Sequence, residues 1–270
     1  GALDIALDIG PDDGPILETA GAQLNIRPSG RVQLLTFMSI GDSPLADVRV
    51  RQALNYAVNK QQIIDILLGG ATEPSGQAAV KASFGYNPDV PAYPYDPDKA
   101  RALLAEAGYP DGFDLPADMT PGAMAGDGAW YLQIANNLAD VGVRVTYQSY
   151  PFTMHIRQIR QGGWKGDAFG MDFNNVPSLD VLWPLRIHSC LWAAPWHCRP
   201  EWVPLIEHAE QEFDLEERRR KTQALVQLYH DEPTSLYLWE MPGVDGVSDR
   251  VLNYQPRHAF INFHEIDVKD

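Results

Sequence analysis

The densest group of potential metal ligands in the sequence consists of two histidines and two cysteines: His188, Cys190, His197 and Cys198. Cysteine thiolates and histidine nitrogens are the usual ligands of zinc. The spacing is poor for a zinc site, because His197 and Cys198 are adjacent and His188 and Cys190 do not form the usual turn-held pair. The chain has no other cysteines, and an eight-residue separation favours a disulfide, with zinc or two free thiols as alternatives.

Two acidic residues, Asp167 and Asp172, are the candidates for catalysis by paired carboxylates. Such pairs act as the acid and base of many hydrolases. In a chain with 36 acidic residues, two neighbouring aspartates are more often solvated loop residues. The sequence also lacks a Gly-x-Ser-x-Gly elbow, a phosphate-binding glycine loop and a His-Glu-x-x-His motif. We therefore expect no catalytic residues, no metal site and no enzyme activity.

Tryptophan is concentrated around the two cysteines, where a stretch of about twenty residues holds Trp183, Trp192, Trp196 and Trp202. A tryptophan ring offers a large flat face and one N–H donor, which suits the wall of a ligand cleft. The same residues could instead pack the core around a bridged loop. We select Trp192 and Trp196 as candidate ligand contacts, with core packing as the alternative for each.

Strands and helices alternate in the elements that would position these side chains. Alternating apolar residues predict strands at 3–9, 32–38, 143–147, 168–173 and 236–239. Helical spacing and capping residues predict helices at 47–58, 59–68, 96–107, 130–141, 153–161, 202–213 and 216–230. Residues 71–94 are rich in proline and glycine and predict a long ordered loop. This alternation indicates an α/β fold.

Composition and charge narrow the class of protein. The chain has 270 residues, a hydrophobic fraction of 45% and a net charge of −15. This hydrophobic fraction argues against disorder, and the acidic balance argues against a nucleic-acid partner. No apolar stretch reaches the ~20 residues that span a bilayer, and the first residues do not form a signal peptide. The sequence therefore predicts either a cytoplasmic protein or a mature or truncated form of an exported one.

The segment 47–54 carries a recognisable signature, and further segments of the same family pattern follow it in register: 59–64 with Gly69, 95–108, Gln133 with 138–143, 190–198 and 247–251. In this combination the sequence resembles the extracytoplasmic solute-binding proteins of dipeptide, oligopeptide and nickel ABC transporters, known as family 5. The resemblance covers most of the chain. It begins partway into the family pattern, so we expect the chain to be the C-terminal portion of a longer protein without its N-terminal lobe.

The resemblance implies a class II periplasmic binding protein-like fold. Its second lobe would be a mixed sheet flanked by helices, with remnants of the first lobe at both ends. We expect residues 1–35 to be a first-lobe remnant with a crossing strand, 36–243 to be the second lobe, and 244–270 to return to the first lobe. A Cys190–Cys198 disulfide is also common at this place in the family. The exposed remnants at 3–9 and after residue 247 could pair two copies of the chain.

The resemblance also implies a function: binding a peptide-like or other small polar solute in a cleft between two lobes, and delivering it to a membrane permease from the periplasm. No cofactor is expected. The residues expected to line this lobe's share of the cleft are Phe152, Asp172, Asn174, Asn175, Trp192 and Trp196. Asn174 stands where dipeptide binders carry an aspartate for the ligand's ammonium group. The alternatives are a secreted hydrolase that uses Asp167 and Asp172, and a sensor or adhesion module that has lost transport.

The segment 119–128 has no basic residue to match the arginine with which the family holds a peptide carboxylate. A buried carboxylate without a charged partner is costly, so small zwitterionic dipeptides are disfavoured as ligands.

Overall fold

The computed structural model describes residues 3–124, 126–258 and 260–269. Its strands, in chain order, are β1 (Ile5–Ala6), β2 (Ala22–Phe37), β3 (Phe113–Met119), β4 (Val143–Ser149), β5 (Ala168–Asn174), β6 (Ser235–Ser248), β7 (Val251–Leu252) and β8 (Asp267–Val268). The α-helices are α1 (Gly14–Thr19), α2 (Val48–Ala57), α3 (Lys60–Leu67), α4 (Pro97–Glu106), α5 (Asp127–Ala139), α6 (Phe152–Gln161), α7 (Leu182–Ile187), α8 (Val203–Glu210) and α9 (Leu215–Asp231). Short 3₁₀ helices cover Pro11–Asp13, Pro44–Ala46, Pro200–Trp202 and Phe263–Glu265.

Six of these strands form one mixed sheet in the order β1-β6-β2-β5-β3-β4. β2 runs antiparallel to both β5 and β6, whereas β3 runs parallel to both β4 and β5. The remaining strands, β7 and β8, pair with each other. A mixed sheet with helices along it is the α/β arrangement that the sequence predicted.

The apolar residues of β2 divide between the two faces of this sheet. Leu35 and Phe37 pack into one buried cluster with residues of α2, α3, α4 and α5. Val32 and Leu34 pack into a second cluster with residues of α7, α8 and α9. Side chains alternate across a strand, so a continuous apolar run indicates burial on both faces. Helices therefore cover both faces of the sheet along this part of β2.

The signature at 47–54 has a structural role in this fold. The Asp47 carboxylate caps α2 by accepting a hydrogen bond from the Arg49 N–H at 2.8 Å. Arg51 is 1% exposed, and its guanidinium donates to the carbonyls of Leu45, Ala46 and Pro233. This side chain joins α2 to the segments on either side, so the signature residues hold the lobe together.

The long strands β2 and β6 have an irregular point in their pairing. Pro28 lies opposite Pro242, and the register shifts between Pro28 and Val32. Neither proline has an N–H to donate, so the ladder of hydrogen bonds is interrupted here. Gly30 lies inside the shifted segment with φ of +76°, which a residue with a side chain adopts only at a cost.

The strand predicted at 3–9 is shorter in the structure. Within this segment the regular ladder with β6 covers Ile5 and Ala6, and the Ile9 N–H makes a separate hydrogen bond to the Val244 carbonyl at 2.8 Å. Asp8 adopts φ of +52°, in the left-handed region that strands do not use, so regular pairing ends before it. Over the described ranges, no helix is both long and apolar enough to cross a membrane.

Candidate ligand cavity at the carboxyl edge of the sheet

The three parallel strands β3, β4 and β5 end at the same edge of the sheet, at Met119, Ser149 and Asn174. Arg31 of β2 pairs with Asn174 and so joins this edge, which we call the carboxyl edge. In open α/β sheets, ligands bind outside the carboxyl ends of the strands. The topology therefore favours a ligand at this edge.

A cavity of ≈ 360 Å³ lies at the carboxyl edge, and we call it the edge cavity. Strand β5 contributes Met171, Asp172 and Asn174 to its wall. The other wall residues come from α6, from the segment around α7 and from the loop between the cysteines: Ile156, Ile159, Arg160, Trp183, Pro184, Ile187, His188 and Trp192. Its volume falls within the range of small-molecule sites. Three predicted contacts, Asp172, Asn174 and Trp192, thus line one cavity.

Asp172 is held by an arginine that sequence reasoning missed. The Arg31 Nε and Nη2 groups donate to the two carboxylate oxygens of Asp172 at 2.8 and 3.0 Å. The side chains are 41% and 20% exposed, respectively. Burial alone would lower the pKa of Arg31, but attraction to Asp172 outweighs it and the pKa is raised. Cross-strand pairing of β2 with β5 could have suggested this partner, but only if the register had been known.

Asn174 presents a free amide group to the edge cavity. Its Oδ1 accepts a hydrogen bond from the Val176 N–H at 3.0 Å, which fixes the side chain at the end of β5. Among the described residues, its Nδ2 group has no hydrogen-bond partner. An amide N–H₂ can donate to a ligand oxygen but cannot neutralise a charge.

Trp192 lies half-buried in the loop that the disulfide closes. Cys190 and Cys198 form that disulfide, which confirms the pairing that the sequence favoured. It also excludes the zinc alternative, since neither sulfur is left as a thiolate ligand. The Trp192 Nε1–H donates to the Ile159 carbonyl of α6 at 2.6 Å, so the indole is pinned beside the helix.

Asn175 and Trp196, both expected to contact the ligand, are interior residues in this structure. Asn175 is 1% exposed; its Nδ2 donates to the Ala78 carbonyl, and its Oδ1 accepts from Ser83. Trp196 is 0% exposed and packs edge-on against Phe169. The hydrogen bonds of Asn175 link β5 to the long loop at 71–94. The Trp196 ring packs in the core next to Trp192. Neither leaves surface for a ligand, so we correct both expectations to supporting roles.

Phe152 lies outside the wall of the edge cavity, at the first turn of α6, and is 59% exposed. It shares one helix face with Ile156 and Ile159, because residues at spacings of four and seven align along a helix. The apolar wall of the cavity therefore continues along α6 to the exposed ring of Phe152.

His188 is a wall residue that sequence reasoning considered only as a metal ligand. Its Nδ1 accepts from the Trp196 Nε1–H at 3.3 Å, and its ring packs 4.1 Å from the Phe173 ring. Within the described part of the chain, its Nε2 has no partner. Burial lowers the pKa of His188 to about 3, so the imidazole is neutral at pH 7. His188 is 1% exposed, and its ring packs between Trp196 and Phe173 at the back of the cavity.

The carboxylate pair of the hydrolase alternative does not form. Asp167 precedes β5 by one residue, and Asp172 lies five residues further along. At ~3.3 Å per residue, their backbones are about 16 Å apart, and an odd spacing places the side chains on opposite faces. Paired glycosidase carboxylates lie ~5–10 Å apart. The bidentate ion pair with Arg31 also occupies Asp172.

A larger cavity, ≈ 510 Å³, lies where β2 pairs with β6 instead of β5. There the long loop at 71–92 meets β2 at Ile26–Pro28 and β6 at Glu240–Pro242. Tyr86 and an exposed Lys81–Glu73 ion pair belong to its surroundings. No predicted ligand contact lines it, and it is not at the carboxyl edge. The edge cavity is therefore the better candidate despite its smaller volume.

Comparison with known proteins identifies the family. The family model "Bacterial extracellular solute-binding proteins, family 5 Middle" matches residues 1–186, which is more than half of the chain. The chain belongs to this family. The match confirms the resemblance carried by the signature segments, and the family is described as bacterial extracellular solute-binding proteins.

Relatives within family 5 bear different names. "Heme-binding protein A" from Haemophilus influenzae is 35% identical over 232 residues, which is 84% of this chain and 42% of that protein. "Dipeptide-binding protein" from Escherichia coli is 36% identical over 141 residues, 48% of this chain and 26% of that protein. Both relatives are named as binding proteins.

Solved structures show the same fold. The ABC transporter-associated periplasmic binding protein DppA from Helicobacter pylori, in complex with a peptide, superposes with a TM-score of 0.85 at 19% identity. The superposition covers 100% of this chain and 53% of that one. This confirms the periplasmic binding protein-like α/β fold. The chain spans about half the length of the Haemophilus influenzae and Helicobacter pylori proteins, with coverages of 42% and 53%.

Proposed function

We propose that the chain forms the second lobe of a solute-binding protein that delivers its solute to an ABC permease, and that the solute lies in the edge cavity. The observation that carries this proposal is the convergence of Asp172, Asn174 and Trp192 on one cavity outside the carboxyl ends of parallel strands. The solute would be covered by a first lobe across the cleft. The family places such proteins in the periplasm, which we propose for this one.

The irregular point of β2 and β6 is the proposed hinge between the lobes. Interrupted pairing at Pro28 and Pro242 lowers the resistance of the two strands to bending. Val32 and Leu34 already pack in a core cluster with α7, α8 and α9. We therefore draw the lobe boundary near Pro28 in β2, earlier than the boundary expected at residue 35, and near Pro242 in β6. A solute that binds both lobes would favour the closed state, which the permease would recognise.

The names of the relatives do not identify the solute of this protein. Haem and a dipeptide differ in size and polarity, although proteins named for binding each are 35–36% identical to this chain over the aligned parts. Fold and family thus support solute binding, while the specific solute depends on the wall of the cavity.

Native mass spectrometry of the complete protein, purified without ligand exchange, tests the proposal. We expect a bound small molecule that dissociates unchanged, and Trp192→Ala should reduce its occupancy. A matched control is Trp202→Phe, because Trp202 is 3% exposed in the core and lies outside the edge cavity. A protein that carries no solute and binds none from a periplasmic extract would contradict the proposal. Chemical conversion of the solute that Asp172→Asn abolishes would favour the hydrolase.

A further inference from the structure

The walls of the edge cavity show an imbalance of charge. Arg160 and Asp172 are the charged residues among the wall residues. The Asp172 carboxylate is already neutralised, because both of its oxygens accept hydrogen bonds from Arg31. Arg160 makes no ion pair with any residue in the described part of the chain. The unneutralised charge at the cavity is therefore positive.

The position of Arg160 places this charge at the rim. It lies in the last turn of α6 and is exposed to solvent, one residue after Ile159 in the cavity wall. A guanidinium group has five N–H donors in a planar fork that matches carboxylate and phosphate oxygens. A rim position lets the arginine remain hydrated in the empty protein and meet a ligand's anionic group when the cavity fills.

The rest of the wall is predominantly apolar. Ile156 and Ile159 of α6 face Met171 of β5, and the Trp192 indole is fixed beside α6 by its hydrogen bond to the Ile159 carbonyl. Trp183 is 51% exposed, an unusual exposure for so large an apolar side chain. Flat aromatic faces such as these are suited to stacking on a flat apolar body.

These two features define a class of solute. We propose that the edge cavity binds a solute with an apolar, preferably flat, body and a carboxylate at one end, and that Arg160 binds this carboxylate. This inference rests on the proposed function and names the substrate class for the same cavity. The other polar groups of the wall are uncharged: the Nδ2 of Asn174, the buried neutral imidazole of His188 and the backbone. A solute that presents an ammonium group to this lobe finds no free carboxylate, since Arg31 occupies that of Asp172.

Three probes with the same body separate charge from shape: 3-phenylpropionate, 3-phenylpropan-1-ol and 3-phenylpropylamine. They carry an anionic, a neutral and a cationic end, respectively. Isothermal titration calorimetry on the complete protein, freed of bound solute, measures their affinities. We expect the carboxylate to bind about tenfold more tightly than the alcohol, the gain of one charge-assisted contact, and the amine to bind most weakly.

A matched pair of variants tests whether Arg160 is responsible for the preference for a carboxylate. Arg160→Gln should remove most of the advantage of the carboxylate over the alcohol and leave the affinity for the alcohol within about twofold. The control is Arg157→Gln on the same helix, because Arg157 is exposed, bonds to Gln161 and lies outside the cavity wall. This control should leave all three affinities unchanged.

Equal affinities for carboxylate and alcohol would overturn the inference, as would no binding of any probe at millimolar concentration, or an equal loss in both arginine variants. Native mass spectrometry separates this failure from that of the proposed function. A co-purified solute that is cationic would overturn the charge preference while solute binding stands. A protein without any solute-binding activity would overturn the proposed function itself.

Discussion

Two arginine–aspartate pairs lie four residues apart on β2, and they face different neighbours. Arg27 pairs with Asp245 of β6 at 2.7 Å, and their side chains are 9% and 0% exposed. Arg31 pairs with Asp172 of β5 at 2.8 Å, and their side chains are 41% and 20% exposed. The first pair lies near the proposed hinge, on its first-lobe side, whereas the second lies at the edge cavity.

The partners of the two aspartates differ as much as their burial does. Asp245 accepts hydrogen bonds from Arg27, from the Tyr254 hydroxyl at 2.7 Å and from the Asp8 N–H at 3.2 Å. These contacts join the first and last segments of the chain to β2. Among the described residues, Asp172 has Arg31 as its partner, and the pair borders a cavity. The Arg27–Asp245 pair is thus buried and has several hydrogen-bond partners. The Arg31–Asp172 pair is accessible to solvent at the edge cavity.

The largest expected effect follows from breaking the buried pair. Asp245→Ala removes the buried carboxylate partner of Arg27 and leaves the exposed Asp8, whose Oδ1 lies 3.1 Å from the Arg27 Nη2, as its remaining acidic partner among the described residues. The free energy of unfolding should fall by about 3–5 kcal/mol, because an exposed carboxylate compensates the buried guanidinium only weakly. Urea unfolding followed by circular dichroism measures this loss. A loss below about 1 kcal/mol would contradict the distinction between the two pairs. The buried pair would then stabilise the protein no more than an exposed ion pair does.

Acid should destabilise the core behind the edge cavity. The pKa of His188 is about 3 in the folded protein against a usual 6.5, so between these values the unfolded chain binds the proton that the folded chain does not. The neutral His188 therefore contributes fully to the free energy of unfolding above pH 6.5, and this contribution is lost as the pH falls toward 3. From pH 7 to pH 4, His188 alone should account for a loss of about 3 kcal/mol in the free energy of unfolding, and urea unfolding at each pH measures the total loss.

The histidine variant tests the source of this acid loss. His188→Phe should flatten the pH dependence without removing it, because His197 also has a pKa well below its usual value owing to burial. The matched control variant replaces the exposed His208 of α8 by Gln. A His188→Phe protein with the pH dependence of the wild type would show that this buried imidazole is not the group responsible.

The disulfide should stabilise the cavity wall by an intermediate amount. Replacing Cys190 and Cys198 by serine removes a covalent loop closed over eight residues. Restricting so short a loop in the unfolded chain is worth about 2–3 kcal/mol. Urea unfolding of the double variant and of the reduced wild type should give the same loss. If both losses were near zero, the wall that carries Trp192 would owe its order to packing alone.

The smallest effect is expected at the accessible pair. Asp172→Ala should lower the free energy of unfolding by less than about 1 kcal/mol, because Arg31 remains free to meet water. A double-mutant cycle with Arg31→Gln measures the coupling between the two side chains. A coupling free energy above about 3 kcal/mol would be as large as that expected for the buried Arg27–Asp245 pair. It would contradict the proposed difference between the two pairs.

Local signals in the sequence predict much of the fold. Asp96 before Pro97 predicts the start of α4, and the Asp96 carboxylate accepts from the Lys99 N–H at 2.9 Å. Asn59 caps α3 in the same way, by accepting from the Gln62 N–H. Strand β6 was predicted only at 236–239, because Pro242, Gly243 and Gly246 break the apolar pattern over its second half. Long-range pairing with β2 overrides that local signal.

The site was less predictable than the fold. The positions of Asp172, Asn174 and Trp192 follow from the strand, the loop after it and the disulfide loop. The burial of Asn175 depends on Ala78 and Ser83, more than ninety residues earlier in the chain. The pairing of Arg31 with Asp172 depends on the register of two distant strands. Spacing along the sequence does not specify such contacts.

The most direct measurement compares the two cavities through the affinity of the complete protein for the solute that co-purifies with it. Trp192→Ala removes a wall of the edge cavity, and Tyr86→Ala removes a wall of the larger one. We predict that the Trp192 variant weakens binding by about tenfold or more and that the Tyr86 variant stays within about twofold. Weak binding by the Tyr86 variant together with normal binding by the Trp192 variant would contradict the account.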